Sequence, residues 1–391
     1  MTDYDVAIIG GGPSGSTLGL LLAKAGYQTA IFDRDTFPRN KLCGEFIAPV
    51  GHRVLSGLDL IDTLRDTGGA PIKKYEITTR DNESLTDSFD FPGFAISRHR
   101  LDILLLREAK LAGADVFTGS RITDINKESH GQHGSGHTFH VDTSCSNGYP
   151  DSTGSAQLLI GAYGRRSSLD RKLNRPFFRD AYEYVGFQKH HYLCDAGELE
   201  SDRVKLYLIP GGYCGIVKIE KNLVNVCLMV HTSSLPDTTT SWSTIRDTLL
   251  TTNPTLKDQL RHFRPAENNC RTVAQIPLMD KGTVRHPLLF TGDASGMVAP
   301  LTGSGQAMAI RSGQLLAELI STSGLPQNRK QFRELGERWS TIWSSSFSDQ
   351  IRASRILNTL LQYDIVTDFA VKFLKRTPGL STFLRRRVTS C

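Results

Sequence analysis

The first 33 residues constrain the fold more than any other part of the sequence. An apolar strand pattern, YDVAII at 4–9, runs directly into the glycine turn GGGPSG at 10–15, and an apolar helical pattern follows. A second strand pattern ends at Asp33, where a carboxylate can accept hydrogen bonds from a ribose. Because a strand, a glycine turn, a helix and a strand that ends in an acid are typical of dinucleotide-binding folds, we predict an α/β protein with such a site.

Each residue of the glycine turn has a predicted role in holding the dinucleotide. Gly10 permits the tight turn, Gly12 lets a pyrophosphate approach the backbone, and Gly15 lets the helix pack closely on the strand. Pro13 and Ser14 begin the helix, whose free N–H groups and positive dipole end attract phosphates.

A second glycine-rich helix start, far downstream, favours FAD over a nicotinamide as the bound dinucleotide. An apolar strand pattern ends in a Gly-Asp pair at 292–293, and the turn PLTGSG at 300–305 opens another helix. FAD is long enough to need both ends held, and N–H groups at this turn would face the N1–C2=O edge of the flavin. The expected contacts are Gly292, Asp293 (at the ribityl and pyrophosphate region), Pro300, Gly303, Ser304 and Gly305.

Two further segments complete the pattern on which a family resemblance rests. FPRNKLCGE occupies 37–45, and Arg98 precedes a Leu-Asp pair at the start of a long helical pattern. Together with the two glycine turns and Asp33-Arg34, these segments make residues 1–320 resemble the superfamily of FAD-dependent aromatic hydroxylases. Within it, the chain most resembles the geranylgeranyl reductase-like branch.

The resemblance implies that FAD is the cofactor and suggests several of its contacts. In relatives, the arginine that matches Arg98 contacts FAD, and the Cys-Gly pair that matches Cys43-Gly44 lies near the flavin ring. Cys43 is therefore a catalytic candidate that tunes the flavin or shuttles protons, with a buried structural cysteine as the alternative. Lys41 would favour its thiolate. The predicted cofactor contacts also include Arg34 and Ile122.

One departure from the family pattern concerns the electron donor. Relatives of the hydroxylase type have an Asp-Gly pair, associated with FAD and nicotinamide contacts, where this chain has Tyr163-Gly164. The turn can survive because the glycine remains, but the carboxylate is lost. NAD(P)H stays a candidate electron donor without an assured docking place. Arg165 and Arg166 either bind its phosphates or face water.

A second departure lies in IPGGYCGIVKIE at 209–220, a predicted turn and strand. Geranylgeranyl reductases have Tyr-x-Trp-x-Phe-Pro here, whereas this chain keeps Tyr213 but has Gly215 and Lys218 in place of the tryptophan and the proline. We expect Tyr213, Gly215 and Val217 to line the substrate pocket, with Tyr213 as a second catalytic candidate. A glycine there leaves room for a bulky lipophilic substrate, or it only accommodates a bulge.

The strand and helix patterns predict an α/β protein with a discontinuous Rossmann-type FAD-binding domain, an inserted antiparallel β-sheet substrate domain and a helical C-terminus. The FAD-binding domain would comprise 1–75, 97–180 and 280–325, the substrate domain 76–96 and 181–279, and the C-terminal helical region 326–391.

Charge and cysteine usage exclude several classes of protein. The net charge of +6 comes with no nucleic-acid-binding motif, and seven scattered cysteines fit reduced thiols in the cytoplasm. The histidines at 130, 133, 137 and 140 lie among glycines, which predicts an exposed loop rather than a metal site. From residue 352 onward, eight basic residues face two acidic ones beside apolar residues. This region either packs on its own domain or contacts a membrane or a carrier protein.

The sequence therefore predicts an FAD-dependent oxidoreductase that acts on a lipophilic or aromatic small molecule. The leading reaction is oxygen insertion by a monooxygenase, in a cavity that excludes water. Reduction of an isolated C=C bond in a prenyl lipid is the first alternative, and modification of a carrier-bound or protein substrate is the second. We do not expect halogenation, because the indole-bearing motif of halogenases is absent and Lys73-Lys74 reads as a solvated pair.

Overall fold

The computed structural model of the protein describes residues 3–131, 134–142, 152–194, 199–235 and 241–377, which form two β-sheets and surrounding helices. The strands of the first sheet are β1 (Asp3–Ile9), β2 (Thr29–Asp33), β6 (Asp115–Thr118), β7 (Arg121–Gly131), β8 (Gly134–Asp142), β9 (Ser152–Gly161), β16 (Val284–Arg285) and β17 (Leu288–Phe290). The strands of the second sheet are β3 (Phe46–Ile47), β4 (Ala70–Thr78), β5 (Ser84–Ala95), β10 (Tyr184–Leu193), β11 (Arg203–Ile209), β12 (Gly212–Lys218), β13 (Leu223–His231), β14 (Phe263–Pro265) and β15 (Arg271–Val273). The α-helices are α1 (Pro13–Lys24), α2 (Pro49–Gly57), α3 (Ile61–Asp66), α4 (Arg98–Leu111), α5 (Ser168–Lys172), α6 (Trp242–Thr248), α7 (Pro254–Leu260), α8 (Gly305–Ser323), α9 (Arg329–Trp343), α10 (Asp349–Leu360) and α11 (Asp364–Arg376).

The first sheet has a parallel centre, which confirms the predicted α/β class. β1 pairs in parallel with β2 and with β9, so that Val6 lies opposite Thr29 on one side and Leu158 on the other. One face of this sheet is buried against α1, α4 and α8, and the other against the β7–β8 hairpin. Ile122 of β7 places its side chain in that second apolar cluster with Phe32. Its contact with FAD stays a prediction, in which the backbone would have to take part.

The second sheet is mainly antiparallel, with a parallel pair between β4 and β11. One face of β10, β12 and β13 packs on α6 and α7 through an apolar cluster that includes Ile216, Val226 and Ile245. The opposite face looks toward α10 and α11. The domain boundary that we placed at residue 75 falls inside β4, because this strand pairs over 74–78 with β11.

The prediction of an exposed loop around the histidine-rich segment is wrong for residues 134–142. This segment is strand β8, paired with β7 and β9. His137 is buried and lies edge-on to His286, with 5.4 Å between the ring centroids. Residue 133 lies outside the described residues.

Candidate cofactor and substrate site

Of the four glycines at 10–15, Gly10 and Gly15 are required by the packing of the protein itself, and Gly12 faces open space. A Cβ atom on Gly15 would lie 1.9 Å from the carbonyl oxygen of Gly10. A Cβ on Gly10, whose φ is +117°, would lie 2.4 Å from a carbonyl oxygen just after β9. A Cβ on Gly12 would meet only guanidinium nitrogens of Arg98 and Arg39, at 3.8 and 3.9 Å. The N–H groups that begin α1 and these two cations therefore surround a space that suits a pyrophosphate.

Asp33, at the end of β2, is tied to the glycine turn. Its carboxylate accepts hydrogen bonds from the backbone N–H groups of Gly11 and Asp35, at 2.7 and 2.9 Å, and from Arg39 at 3.2 Å. The residue is buried, so its first role is to hold the turn in shape. Arg34 is exposed and forms an ion pair with Asp35. Contacts of Asp33 and Arg34 with the ribose end of FAD stay predictions.

Arg98 is a firmly anchored charge beside this space. Its Nε and Nη2 atoms each donate to the fully buried carboxylate of Asp102 at 2.6 Å. Burial alone would lower the pKa of Arg98, but the charge of Asp102 and its hydrogen bonds raise it above the usual value, so the guanidinium stays charged. Arg39, which the sequence did not single out, approaches the same carboxylate at 3.6 Å.

The Gly-Asp pair at 292–293 lies against the first glycine turn. The Ser14 hydroxyl at the start of α1 forms a hydrogen bond with Thr291 at 2.9 Å. Gly292 has φ +61°, and a Cβ there would lie 2.8 Å from the Ser14 Cβ. Asp293 follows half-buried, and its negative charge acts to raise the pKa of Arg98. The two turns and the arginine therefore form one site.

Two glycines border open space where α8 begins. A Cβ added at Gly305 or at Gly44 would meet no atom within 4 Å. Gly303, by contrast, has φ +64° and lies against Phe46, where a Cβ would approach the ring to 2.6 Å. Ser304 is fully buried, and its hydroxyl donates to a backbone carbonyl within the same turn. A flat ring between Gly44 and Gly305 would meet no side chain from either residue. We call this opening the flavin space.

Cys43 lies at this opening as a neutral thiol. Its Sγ atom accepts a hydrogen bond from Nε2 of Gln306 at 3.1 Å. Burial raises the pKa of the thiol, and the charge of Arg98 opposes this effect only in part. We expected Lys41 to favour the thiolate of Cys43, and this expectation is wrong. The loss of solvation on burial raises the pKa of the thiol more than the favourable charges lower it.

These residues fit FAD. Two buried polar atoms, Nε of Arg39 and Oε1 of Gln306, have no hydrogen-bond partner among the described residues. Buried polar atoms are normally satisfied, so each of these two is available to a ligand atom, the first at the pyrophosphate end and the second at the flavin end. The open spaces at Gly12, Gly44 and Gly305 lie beside the same two ends. Bound FAD would supply the two-electron chemistry, and the chain would hold its phosphates and shield the ring from water.

Lys41 adds a titrating charge to the phosphate end of this site. Burial, together with the charges of Arg98 and Arg39, lowers the pKa of Lys41 to about 8. A bound phosphate would restore the charged form. FAD binding above about pH 8 should therefore take up a proton, and affinity should fall with rising pH by up to about tenfold per pH unit.

Titration of the apo-protein with FAD at several pH values checks this expectation for Lys41. Lys41→Gln should remove the pH dependence, whereas the control Lys330→Gln, at an exposed lysine on α9, should keep it. An affinity that is constant from pH 7 to pH 10 in the unmodified protein would contradict the prediction.

Tyr163 is part of a closed network rather than an open docking place. Its hydroxyl donates to Asp170 at 2.6 Å, and Arg175 bonds both groups, at 3.3 Å to the hydroxyl and 3.0 Å to the carboxylate. Arg165 donates to two backbone carbonyls at 274 and 275, and Arg166 lies over the rings of two aromatic residues. Neither arginine simply faces water. The tyrosine thus replaces the family carboxylate with a structural contact.

A buried acid and a histidine near Cys43 were not predicted as a pair. Glu45, which has φ +54°, accepts hydrogen bonds from the Arg98 backbone N–H at 2.9 Å and from Nε2 of His190 at 2.7 Å. Burial lowers the pKa of His190, but the bond to Glu45 raises it above the usual value. His191 packs instead against Trp242, and burial lowers its pKa to about 4. The pair joins the second sheet to the segment beside the flavin space.

An apolar cavity of about 300 Å³ extends from the flavin space toward the C-terminal helices. One end is bordered by Gly44, Phe46 and the turn at 300–303, the walls by β4, β5, β11 and β12, and the far end by α10 and α11. No acidic or basic side chain is among the described residues that line it. Its titratable groups include Tyr213 and Cys227, and burial raises the pKa of both well above their usual values.

The predicted pocket strand lines the cavity for part of its length. Tyr213 and Gly215 both border the cavity. A Cβ on Gly215 would make ordinary contacts with Leu206 and the Cys227 carbonyl, at 3.5 and 3.6 Å, so this glycine leaves volume open rather than admitting a bulge. The prediction that Val217 lines the pocket is wrong. Val217 belongs to the main apolar core, which covers this part of the face of β12, so it does not line the cavity.

Comparisons with known proteins agree with this geometry. The model of the FAD binding domain family matches residues 3–323. The chain is 26% identical to menaquinone reductase from Mycobacterium tuberculosis, over 92% of this chain and 84% of that protein. It is 23% identical to squalene monooxygenase from Rattus norvegicus, over 96% of this chain and 64% of that protein. Among solved structures it resembles the flavin-dependent brominase Bmp2 (TM-score 0.79, 18% identity, 100% and 94% of the two chains). It also resembles a geranylgeranyl bacteriochlorophyll reductase-like protein from Thermoplasma acidophilum (TM-score 0.76, 20% identity, 96% and 92%).

At these identities the solved structures show the shared fold, while the family match covers the whole cofactor site. The predicted superfamily and the FAD cofactor are confirmed by it. With both glycine turns, Arg98 and the flavin-side opening in place, the chain belongs to the FAD binding domain family and is an FAD-dependent oxidoreductase.

Proposed function

We propose that the protein is an FAD-dependent monooxygenase that oxidises an uncharged, lipophilic small molecule. The observation that supports this proposal is the cavity, which is apolar from the flavin space to α10 and α11. Such a lining excludes water and offers no counter-charge, so it selects a substrate with a long apolar chain or apolar rings. The sequence similarity to squalene monooxygenase supports this proposal.

The cavity also limits which oxygenation chemistry is suitable. Hydroxylation of a phenol is helped by a base that removes the phenolic proton. Tyr213 and Cys227 stay protonated, because burial raises the pKa of both. The lining therefore favours oxygen insertion into an electron-rich apolar group, such as an alkene, over attack on a phenolate.

Reduction of a C=C bond is the second candidate, and two protonated side chains favour it. Cys43 and Tyr213 are both neutral, and Cys43 is close enough to be among the groups that raise the pKa of Tyr213. In this reaction a hydride from the reduced cofactor would reach one carbon, and a proton held at Cys43 Sγ or at the Tyr213 hydroxyl would reach the other. The resemblance to the reductase-like branch is consistent with this candidate.

Halogenation is less well supported, although the fold is shared with a brominase. Lys73 is exposed, and Lys74 does not line the cavity. NAD(P)H remains the proposed electron donor. The closed network around Tyr163 favours a docking place for it elsewhere on the protein.

Rapid mixing tests the two candidates directly. We would reduce the flavin chemically without air and mix it with oxygenated buffer, with and without lipophilic alkenes and prenylated lipids. A transient spectrum that differs from reduced and oxidised flavin, followed by an oxygenated product, is the expected result. Immediate reoxidation of the flavin with release of peroxide, together with saturation of the lipid C=C bond in the absence of air, would contradict the monooxygenase and support the reductase. Absence of both products with every lipid would contradict both.

A further inference from the structure

The two C-terminal helices expose an unusual amount of apolar surface. Of the ten large hydrophobic side chains that are exposed in the described part of the chain, seven lie between residues 356 and 373. We call them the helix face: Ile356, Leu357, Leu360, Tyr363, Val366, Phe369 and Phe373. Phe369 is 67% exposed and Ile356 is 63% exposed. Exposed apolar side chains concentrated in this way on two neighbouring helices normally mark a contact surface.

The helix face is continuous with the substrate cavity. Leu357, Leu360 and Val366 are exposed to solvent and also line the cavity. Leu361 and Val371 continue the lining inward, where they are buried. The same helices therefore form the cavity wall on their inner side and an apolar surface on their outer side, with the cavity mouth between the two.

Ion pairs hold α11 against the protein and leave its apolar side outward. Asp368 pairs with Arg80 at 2.8 Å, and Lys375 pairs with Glu83 at 2.7 Å, so the helix is fastened to the β4–β5 turn. Arg355 and Arg376 are exposed on the same two helices. Aromatic side chains beside exposed arginines are typical of segments that lie in the interface of an anionic bilayer.

The geometry points to the helix face as a docking surface for an anionic lipid bilayer, from which the lipophilic substrate enters the cavity between α10 and α11. The entry of substrate rests on the proposed function, whereas the docking does not. Contact of this kind is peripheral. Within the described ranges no helix has the length and apolarity to pass through a bilayer.

Sedimentation with lipid vesicles tests the docking on the FAD-bound protein. We would use vesicles of phosphatidylcholine alone and of phosphatidylcholine mixed with phosphatidylglycerol. The unmodified protein should sediment with the anionic vesicles. Ile356→Ser/Phe369→Ser should weaken this binding at least about tenfold, because two side chains lose their burial in lipid. The matched control Leu111→Ser/Tyr192→Ser, at sites 69% and 50% exposed elsewhere, should bind as before.

Several results would overturn this assignment. One is that the protein sediments with neither kind of vesicle, and another is that the control variant loses as much vesicle binding as Ile356→Ser/Phe369→Ser. A third is a dimer that Ile356→Ser/Phe369→Ser breaks, and a fourth is vesicle binding that appears only after removal of residues 378–391. The dimer would show that a second copy covers the helix face, and the truncation would show that the chain's own end covers it. Flavin absorbance reports whether each variant is folded. Turnover without vesicle binding would refute the docking alone, and vesicle binding without any turnover would refute the proposed function alone.

Discussion

Gly12→Val should abolish FAD binding while the apo-protein still folds. The backbone at Gly12 is extended, with φ −78° and ψ −177°, which valine adopts freely. Apart from the chain neighbours, the nearest protein atom is a guanidinium nitrogen of Arg98, 3.8 Å from the new Cβ. The side chain would instead occupy the space between Arg39 and Arg98 where we place the pyrophosphate. We expect FAD to bind at least about 100-fold more weakly, a loss of roughly 3 kcal/mol.

Fluorescence titration with FAD and thermal unfolding of the apo-protein separate the two effects. Gly15→Val is the contrasting variant, because its Cβ would lie 1.9 Å from the Gly10 carbonyl oxygen, so it should fail to fold. Gly12→Val protein that is still yellow after purification would show that the pyrophosphate does not lie at this turn.

Gly215→Trp should block the substrate cavity without disturbing the cofactor. The Cβ meets its neighbours at ordinary distances, so the indole can extend into the cavity of about 300 Å³ without displacing backbone. Turnover of a lipophilic substrate, measured as kcat/KM, should fall at least about 100-fold, because the indole would occupy substrate volume.

FAD affinity and the rate at which the reduced flavin reacts with oxygen should stay unchanged in Gly215→Trp. Gly215→Ala is the matched control, since it adds the Cβ alone and should keep most activity. If the tryptophan variant turns over the substrate at the normal rate, β12 does not line the substrate path.

Local patterns predicted the cofactor site better than they predicted the residues around it. The turn at Gly10 to Gly15 and the later turn at Gly292 each depend on residues adjacent in sequence, so spacing alone located them. The Glu45–His190 pair joins residues that are 145 positions apart, and no local pattern signals it. Arg39 was missed because a surface arginine and a phosphate-binding arginine have the same sequence context.

The correction at Val217 has a similar physical cause. Alternation along a strand identifies which residues share a face, and Tyr213, Gly215 and Val217 do share one. It does not indicate where along that face an open cavity gives way to packed core. The face borders the cavity at Tyr213 and Gly215, whereas at Val217 it is covered by the main apolar core. Glycine-rich composition likewise concealed the pairing of β8, because pairing depends on a partner strand.

The cavity is built by two stretches of the chain that lie apart in sequence. Its flavin end is built by residues inside the family match, which stops at residue 323. Its far wall belongs to α10 and α11, which lie after that point. The residues that hold the cofactor are thus separate in sequence from the helices that close the far end of the cavity. Changes in α10 and α11 would therefore alter the length of the accepted molecule without touching the residues that hold the cofactor.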